Sequence, residues 1–241
     1  MRNCAIWALM ALALGGGSLS SPSVAQAIEL TSAADPAQVI QAANTDKIAS
    51  ETALQVWTWV IASRDNGVLP FIIIDKDTAS LLIFDAQGQL VGFSPVLLGI
   101  ARGDDATPGI GDRELNEIGP AEKTTPAGRF LARIGPAKGN QRVLWVDFDT
   151  SVALHPVITT NPKERRLQRL QSPTPKDNRI TFGCINVPAV LYEGLVSPLF
   201  GDRGGMVYIL PEHKFLIEAF PAFEIFLPPD PHTLAEAQKD D

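Results

Sequence analysis

Residues 70–84, with the sequence PFIIIDKDTASLLIF, decide the fold class. Two short runs of apolar and β-branched residues, 71–74 and 81–84, flank a polar turn, and this pattern predicts two neighbouring β-strands. Further runs of the same kind lie at 91–100, 128–134, 143–148, 152–155, 179–185 and 206–210. Many short strands with few helices predict a mainly β domain, a sandwich or barrel with short helices at its periphery.

The first 27 residues have the pattern of a secretory signal peptide. Arg2 is the only charge before Glu29, residues 5–14 form an apolar run, and residues 25–27 read Ala-Gln-Ala. The apolar run is shorter than the roughly 20 residues that a membrane span needs. We therefore expect an exported chain with no membrane span after cleavage.

The rest of the chain is predicted to have three parts. Residues 28–69 form a linker followed by a helix at 47–63, where apolar residues recur at helical spacing. Residues 70–211 form the β domain, which carries all the motifs described below. Residues 212–241 form a C-terminal extension that becomes rich in proline and then polar.

The charge balance argues against nucleic-acid binding. The chain carries 20 Lys and Arg against 27 Asp and Glu, whereas phosphate contacts need clustered cations. The basic run at 163–169 is predicted to be a solvated loop or short helix. The polar loop at 101–122 holds five acidic residues, but their spacing differs from that of an EF-hand. We predict neither a metal nor a cofactor, and note that loops of this length are often lids or binding loops.

The chain has two cysteines, and cleavage of the predicted signal peptide would remove Cys4 and leave Cys184. Exported proteins usually pair their cysteines in disulfides, so the retention of an unpaired thiol needs a reason. Two reasons stay open at this point. The side chain is either a small buried apolar group or a nucleophile.

The residues around Cys184 suit a nucleophile. Gly183 is expected to leave room for a substrate backbone beside the sulfur, and nearby main-chain amides to form an oxyanion hole. Asn186 followed by Pro188 predicts the start of a helix. The dipole of that helix would lower the pKa of the Cys184 thiol.

A cysteine nucleophile also needs a base, and the chain has three histidines. His155 ends a predicted strand beside a loop, where catalytic side chains tend to lie. His213 and His232 follow the β domain. His213 is predicted to lie on the surface, and His232 lies in the C-terminal tail. A lone His155 would more often be a core histidine, but together with Cys184 it becomes the candidate base.

Three motifs in this order resemble L,D-transpeptidases of the YkuD type. Residues 181–186, Thr-Phe-Gly-Cys-Ile-Asn, resemble the Ser/Thr-His-Gly-Cys-x-Arg/Asn signature of that family. His155 matches the upstream catalytic histidine. Residues 123–130, KTTPAGRF, are similar to the Thr-Pro-x-Gly-x-Phe start of a core strand. The resemblance covers roughly residues 70–210.

The resemblance implies an enzyme of the periplasm or cell envelope that acts on peptidoglycan stem peptides. Cys184 would attack the carbonyl before the terminal D-alanine of a stem tetrapeptide, and an acceptor amine would resolve the thioester. His155 would transfer the protons, oriented by the backbone carbonyl of Pro156. The remaining site residues are assigned to oxyanion stabilisation or substrate binding: Gly183, Thr181, Asn186, Pro156, Phe182 and Arg179.

The chain departs from the family pattern in three ways. Phe182 stands where the signature has a second histidine, Asn186 stands where many members have arginine, and an insertion at 163–176 lengthens the spacing from His155 to Cys184. Two alternatives stay open: a related cysteine hydrolase or carboxypeptidase that uses water as acceptor, and a non-catalytic envelope module that binds peptidoglycan or a protein. Phe182 favours the module, whereas the presence of both Cys184 and His155 favours an enzyme.

Overall fold

The computed structural model describes residues 49–137 and 141–226, with side chains to residue 224. Its strands are β1 (Phe71–Asp75), β2 (Ser80–Phe84), β3 (Leu90–Pro95), β4 (Leu98–Gly99), β5 (Gly128–Pro136), β6 (Arg142–Asp147), β7 (Val152–Pro156), β8 (Arg179–Thr181), β9 (Ile185–Val187) and β10 (Gly205–Ile209). Its helices are α1 (Glu51–Ser63), α2 (Arg166–Leu170), α3 (Ala189–Leu191), α4 (Ser197–Phe200) and α5 (Leu216–Ala219), with a π-helical turn at Tyr192–Val196 between α3 and α4.

Eight strands form one sheet in the order β3-β2-β1-β10-β5-β6-β7-β9, and β4 pairs with β8 in a small parallel sheet. The large sheet is nearly closed, because Leu97 follows β3 and pairs with Asn186 of β9. Their backbone N–H groups and carbonyls exchange two hydrogen bonds of 2.9 Å. The predicted mainly β architecture with short peripheral helices is confirmed.

Strand β1 is buried on both faces, and each face belongs to a different core. Ile72 and Ile74 point into the barrel. Phe71 and Ile73 point outward and pack under α1, which Ser50 caps by accepting a hydrogen bond from the Ala53 N–H at 3.1 Å. The outer core also holds aromatic side chains that contact one another: Trp59, Tyr208, Phe220 and Phe223. Residues on both flanks of the predicted β domain therefore pack onto the sheet.

Two predicted strands are shorter in the structure than the sequence pattern suggested. The run at 91–100 divides into β3 and β4, because Leu97 turns to pair with β9. The run at 179–185 divides into β8 and β9 around a turn at residues 182–184. The predicted helix at 47–63 begins at Glu51.

The signal peptide, the linker as far as residue 48 and the end of the C-terminal extension lie outside the described residues. The division of the chain into segments therefore stays a prediction. Within the described ranges, no helix combines the length and the apolar character that crossing a membrane would require.

Candidate active site

Strands β7 and β9 bring the candidate nucleophile and base to the same end of the barrel. The two strands are parallel, with Leu154 opposite Ile185 and His155 opposite Asn186. Cys184 lies directly before β9 and is only partly exposed. The pairing therefore places Cys184 two residues along the neighbouring strand from the position opposite His155.

Threonine side chains fix the turn that carries Cys184. Thr181 Oγ1 donates to the Cys184 carbonyl at 2.6 Å and accepts from the Gly183 N–H at 3.2 Å. Thr125 Oγ1 donates to the Gly183 carbonyl at 2.8 Å and accepts from the Gly99 N–H at 2.9 Å. Hydrogen bonds of Thr125 thereby connect the motif at 123–130 to the motif at 181–186. No local sequence pattern predicted this contact.

Gly183 is required by the packing of the chain itself. Its φ is +133°, and a Cβ at this position would lie 2.7 Å from the carbonyl oxygen of Thr124. Any other residue would therefore be strained and would displace the Thr124 backbone. The predicted role of Gly183 toward a substrate stays a prediction.

The predicted helix start at Asn186 is wrong. Asn186 is the central residue of β9, because its backbone is held by pairing with Leu97. The helix begins three residues later, at Ala189, so no helix dipole acts on the thiol from that position. Burial instead raises the pKa of the Cys184 thiol, and the Ala153 backbone N–H and the charge of Arg166 oppose this shift.

A raised pKa predicts slow alkylation of Cys184 near neutral pH, because the thiolate is the reactive species. The rate with iodoacetamide should keep rising beyond pH 9, the ordinary value for the thiol, where the rate of an unperturbed thiol would level off. Peptide mapping by mass spectrometry would read Cys184 separately from Cys4, and the same protein in denaturant gives the reference rate. Rapid alkylation of the folded protein at pH 6–7 would contradict the prediction.

His155 is held on both sides of its ring. Its Nδ1 lies 2.8 Å from the carbonyl oxygen of Pro156, the contact that the family resemblance implied. Its Nε2 lies 3.1 Å from Asn186 Nδ2. Arg166 Nη1 donates to Asn186 Oδ1 at 2.7 Å, so the amide group of Asn186 must face His155 with its N–H.

This chain of hydrogen bonds fixes the tautomer of His155. Because Asn186 Nδ2 can only donate, Nε2 accepts, and the proton resides on Nδ1, which donates to Pro156. Burial lowers the pKa of His155, the Pro156 hydrogen bond opposes this shift, and the charge of Arg166 adds to it. The imidazole is therefore neutral near pH 7, with its lone pair on the nitrogen that a general base uses.

The thiol and the imidazole do not hydrogen-bond to each other in this structure. The Cys184 Sγ donates to the Ser151 carbonyl at 3.6 Å, while Nε2 of His155 is engaged by Asn186. The raised pKa of the thiol and the lowered pKa of the imidazole both favour the neutral groups over a thiolate–imidazolium pair.

Arg166 is the contributor to this site that the sequence did not reveal. It belongs to the basic run at 163–169, which was expected to be solvated, yet its side chain is only 12% exposed. It starts α2, and its Nε donates to Glu164 Oε2 at 2.5 Å. Nothing in the run distinguishes it from Arg165 or Arg169 until the fold brings it against β9.

A cavity of about 120 Å³ lies over Cys184, and the loop at residues 101–122 forms much of its wall. This loop, here called the lid, contributes Ile110, Arg113 and Ile118. Ser151 Oγ donates to the Gly111 carbonyl at 3.2 Å, which ties the lid to the floor of the site. The role of this segment as a lid or binding loop stays a prediction.

Phe182 and Arg179 occupy different surroundings. Phe182 lines the cavity beside Cys184, and the Lys123 ammonium lies 3.6 Å from the centre of its ring. Arg179 donates to Glu212 Oε1 at 2.5 Å and to the Lys76 carbonyl at 3.0 Å. Its guanidinium is thus used within the fold and is not among the groups that line the cavity, which argues against its predicted role in substrate binding.

Among the residues that the structure describes, no three His, Cys, Asp or Glu side chains converge.

Comparison with known proteins gives matches among solved structures. No family model and no curated protein matches the chain. An L,D-transpeptidase from Xylanimonas cellulosilytica is 17% identical over 59% of this chain and 60% of that chain, with a TM-score of 0.35. The catalytic domain of an Enterococcus faecium L,D-transpeptidase is 16% identical over 59% of this chain and 98% of that chain, with a TM-score of 0.33.

These solved structures are L,D-transpeptidases. A further one, from Stackebrandtia nassauensis, is 15% identical over 72% of this chain and 73% of that chain, with a TM-score of 0.34. The chain spans between 49% and 60% of the length of the first solved chains that it matches. Similarity at this level concerns the fold alone, and activity is argued below from the site itself.

Proposed function

We propose that this protein is an exported L,D-transpeptidase of the periplasm or cell envelope, with Cys184 as nucleophile and His155 as base. The observation that carries the proposal is the β7–β9 pairing. It supports the proposal because Cys184 lies two residues from the position opposite His155, and because Nε2 of His155 carries the lone pair. The cavity over the thiol supplies a place for a substrate carbonyl.

Acylation would proceed on a peptidoglycan stem tetrapeptide. His155 Nε2 releases Asn186 and takes the Cys184 proton while Sγ forms a bond to the carbonyl carbon before the terminal D-alanine. The carbonyl oxygen becomes an oxyanion, toward which the Cys184 backbone N–H would donate. The C–N bond then breaks, Nε2 returns the proton to the leaving amine, and a thioester remains.

The acceptor that resolves the thioester decides which product forms. An amine attacks the thioester, gives its proton to Nε2 and expels the thiolate, which takes the proton back. A second stem peptide gives a cross-link, and a free D-amino acid gives exchange. Water in the same role would make the enzyme a carboxypeptidase.

Mass spectrometry of the protein mixed with a stem tetrapeptide and a free D-amino acid tests the proposal. Exchange of the terminal D-alanine supports a transpeptidase, and loss of D-alanine without exchange supports the hydrolase. Absence of both products and of an acyl-enzyme would refute both enzymes. That result would favour the non-catalytic module. One contact in the structure supports this alternative, because Asn186 Nδ2 occupies the Nε2 of His155 that a base would need free.

Arg166→Gln is expected to lower kcat with little change in KM. The side chain touches Asn186 and acts on the base through it, so the loss should be roughly tenfold to a hundredfold of the 10²–10⁴-fold that general-base catalysis supplies. Its charge also lowers the pKa of His155. Removing the charge raises that pKa, so the acid limb of the pH–rate profile should move to higher pH.

Arg165→Gln is the matched control, since Arg165 precedes Arg166 and its side chain is exposed. Both variants lose one positive charge from the same run. If the two variants shift the acid limb equally, the effect comes from net charge, and the positioning role of Arg166 is wrong. Arg166→Lys should restore the charge effect on pKa but only part of kcat, because lysine lacks the second donor of the guanidinium.

A further inference from the structure

The ammonium group of Lys123 lies over the ring of Phe182, which lines the cavity together with Cys184. Its Nζ lies 3.6 Å from the centre of the Phe182 ring. No hydrogen bond or ion pair joins this Nζ to any residue that the structure describes. The neighbouring Glu122 is already engaged, since its carboxylate accepts from Arg113 Nη1 at 2.6 Å and from the Gly119 N–H at 2.9 Å.

The backbone that follows Lys123 belongs to the cavity over Cys184. The next residue, Thr124, contributes to the cavity wall together with Phe182 and Cys184, and its carbonyl packs against Gly183. The chain at Lys123 therefore runs alongside the turn that carries the thiol. The face of the Phe182 ring attracts a cation and steadies a side chain that would otherwise move freely.

The proposed donor carries a negative charge close to the bond that would be cleaved. In a peptide that ends one residue after the scissile bond, the terminal carboxylate is three covalent bonds from the carbonyl carbon, at a distance of about 3–4 Å. A lysine ammonium offers three donors, and hydrogen bonds between charged groups are the strong ones. A carbonyl bound at Cys184 would therefore keep this carboxylate near the cavity that Phe182 also lines, and Lys123 lies over the Phe182 ring.

We infer that Lys123, held over Phe182, binds the terminal carboxylate of the donor peptide and makes the site select peptides that end with the leaving residue. This inference rests on the proposed function. It also gives Phe182 a role that the histidine of the family signature would not fill in the same way. An aromatic face holds the cation, whereas a protonated histidine would repel it.

Binding measurements on Cys184→Ala protein test this inference apart from turnover. Isothermal titration calorimetry compares a stem tetrapeptide that has a free C-terminal carboxylate with the same peptide as its C-terminal carboxamide. The free acid is expected to bind about tenfold more tightly than the carboxamide. In Cys184→Ala/Lys123→Gln the free acid should fall to the affinity of the carboxamide, while Lys123→Arg should retain most of the preference.

Two further variants make the result specific. Lys163→Gln removes the same charge from an exposed site and should leave the preference unchanged. Phe182→Leu removes the ring but not the ammonium and should reduce the preference partly; it also serves if the Lys123→Gln protein does not fold. A preference for the free acid that survives loss of Lys123 overturns the inference, as does equal binding of acid and carboxamide to Cys184→Ala protein. Failure of the proposed function is a different result, namely no release of D-alanine by the unaltered protein.

Discussion

Cys184→Ala is expected to lower the turnover of stem peptides by a factor on the order of 10⁴–10⁶, as loss of a nucleophile does in other acyl-transfer enzymes. The sulfur forms the bond on which both half-reactions depend, and no second cysteine lies within the described residues. Mass spectrometry would also show the loss of the acyl-enzyme. The measurement is the rate of D-alanine release.

The fold should survive this substitution. The Cys184 side chain makes one weak hydrogen bond, to the Ser151 carbonyl at 3.6 Å, whereas its turn is held by Thr181 and Thr125 through backbone groups. Thermal unfolding of the variant should thus stay close to that of the unaltered protein. Undiminished D-alanine release by a folded Cys184→Ala protein would remove Cys184 from the mechanism.

The sequence predicted those features of the fold that neighbouring residues determine among themselves. The two apolar and β-branched runs within residues 70–84 predicted β1 and β2, and the runs are continuous because the two faces of each strand meet different cores. The order of the three motifs predicted that His155 and Cys184 belong to one site. The parallel pairing of β7 and β9 brings their surroundings together.

The errors arose where distant residues override a local preference. Asn186 and Pro188 form a reasonable helix start by local chemistry, but Leu97 pairs with Asn186 and extends the strand. Arg166 was placed at the surface with the rest of its basic run. Only the fold shows that Arg166, at the start of α2, donates to Asn186 of β9 and so orients the amide that contacts the ring of His155.

Asp104→Asn is expected to destabilise the protein by about 3–5 kcal/mol, the usual cost of breaking a buried ion pair. Asp104 accepts from Lys76 Nζ at 2.8 Å, and both side chains are almost fully buried. Its two oxygens also accept from the backbone N–H groups of Glu212, His213 and Lys214. Asparagine removes the charge opposite Lys76 and directs an amide N–H toward other donors.

Asp105→Asn is the matched control, because this neighbouring carboxylate is exposed and pairs at the surface with Lys214. Exposed ion pairs contribute little, so urea unfolding should separate the two variants clearly. An equal loss in both would mean that the Lys76–Asp104 pair has no special role. The m-value should stay constant if only stability changes.

The pH dependence gives a second test of the same pair. Burial alone would raise the pKa of Asp104, but hydrogen bonds from Lys76 and the three backbone N–H groups hold it well below its usual range. The contribution of the carboxylate is therefore fully present above the unfolded-state pKa of about 4 and is lost as the pH falls through the lower, folded-state value. Asparagine does not titrate, so the stability gap between Asp104→Asn and the unaltered protein should be widest near neutral pH and should shrink below pH 4. Asp104 lies at the start of the lid, and its partner Lys76 also donates to the Thr125 carbonyl at 3.1 Å. Protonation of Asp104 would therefore loosen both the lid and the position of Thr125, whose side chain donates to the Gly183 carbonyl in the turn that carries Cys184.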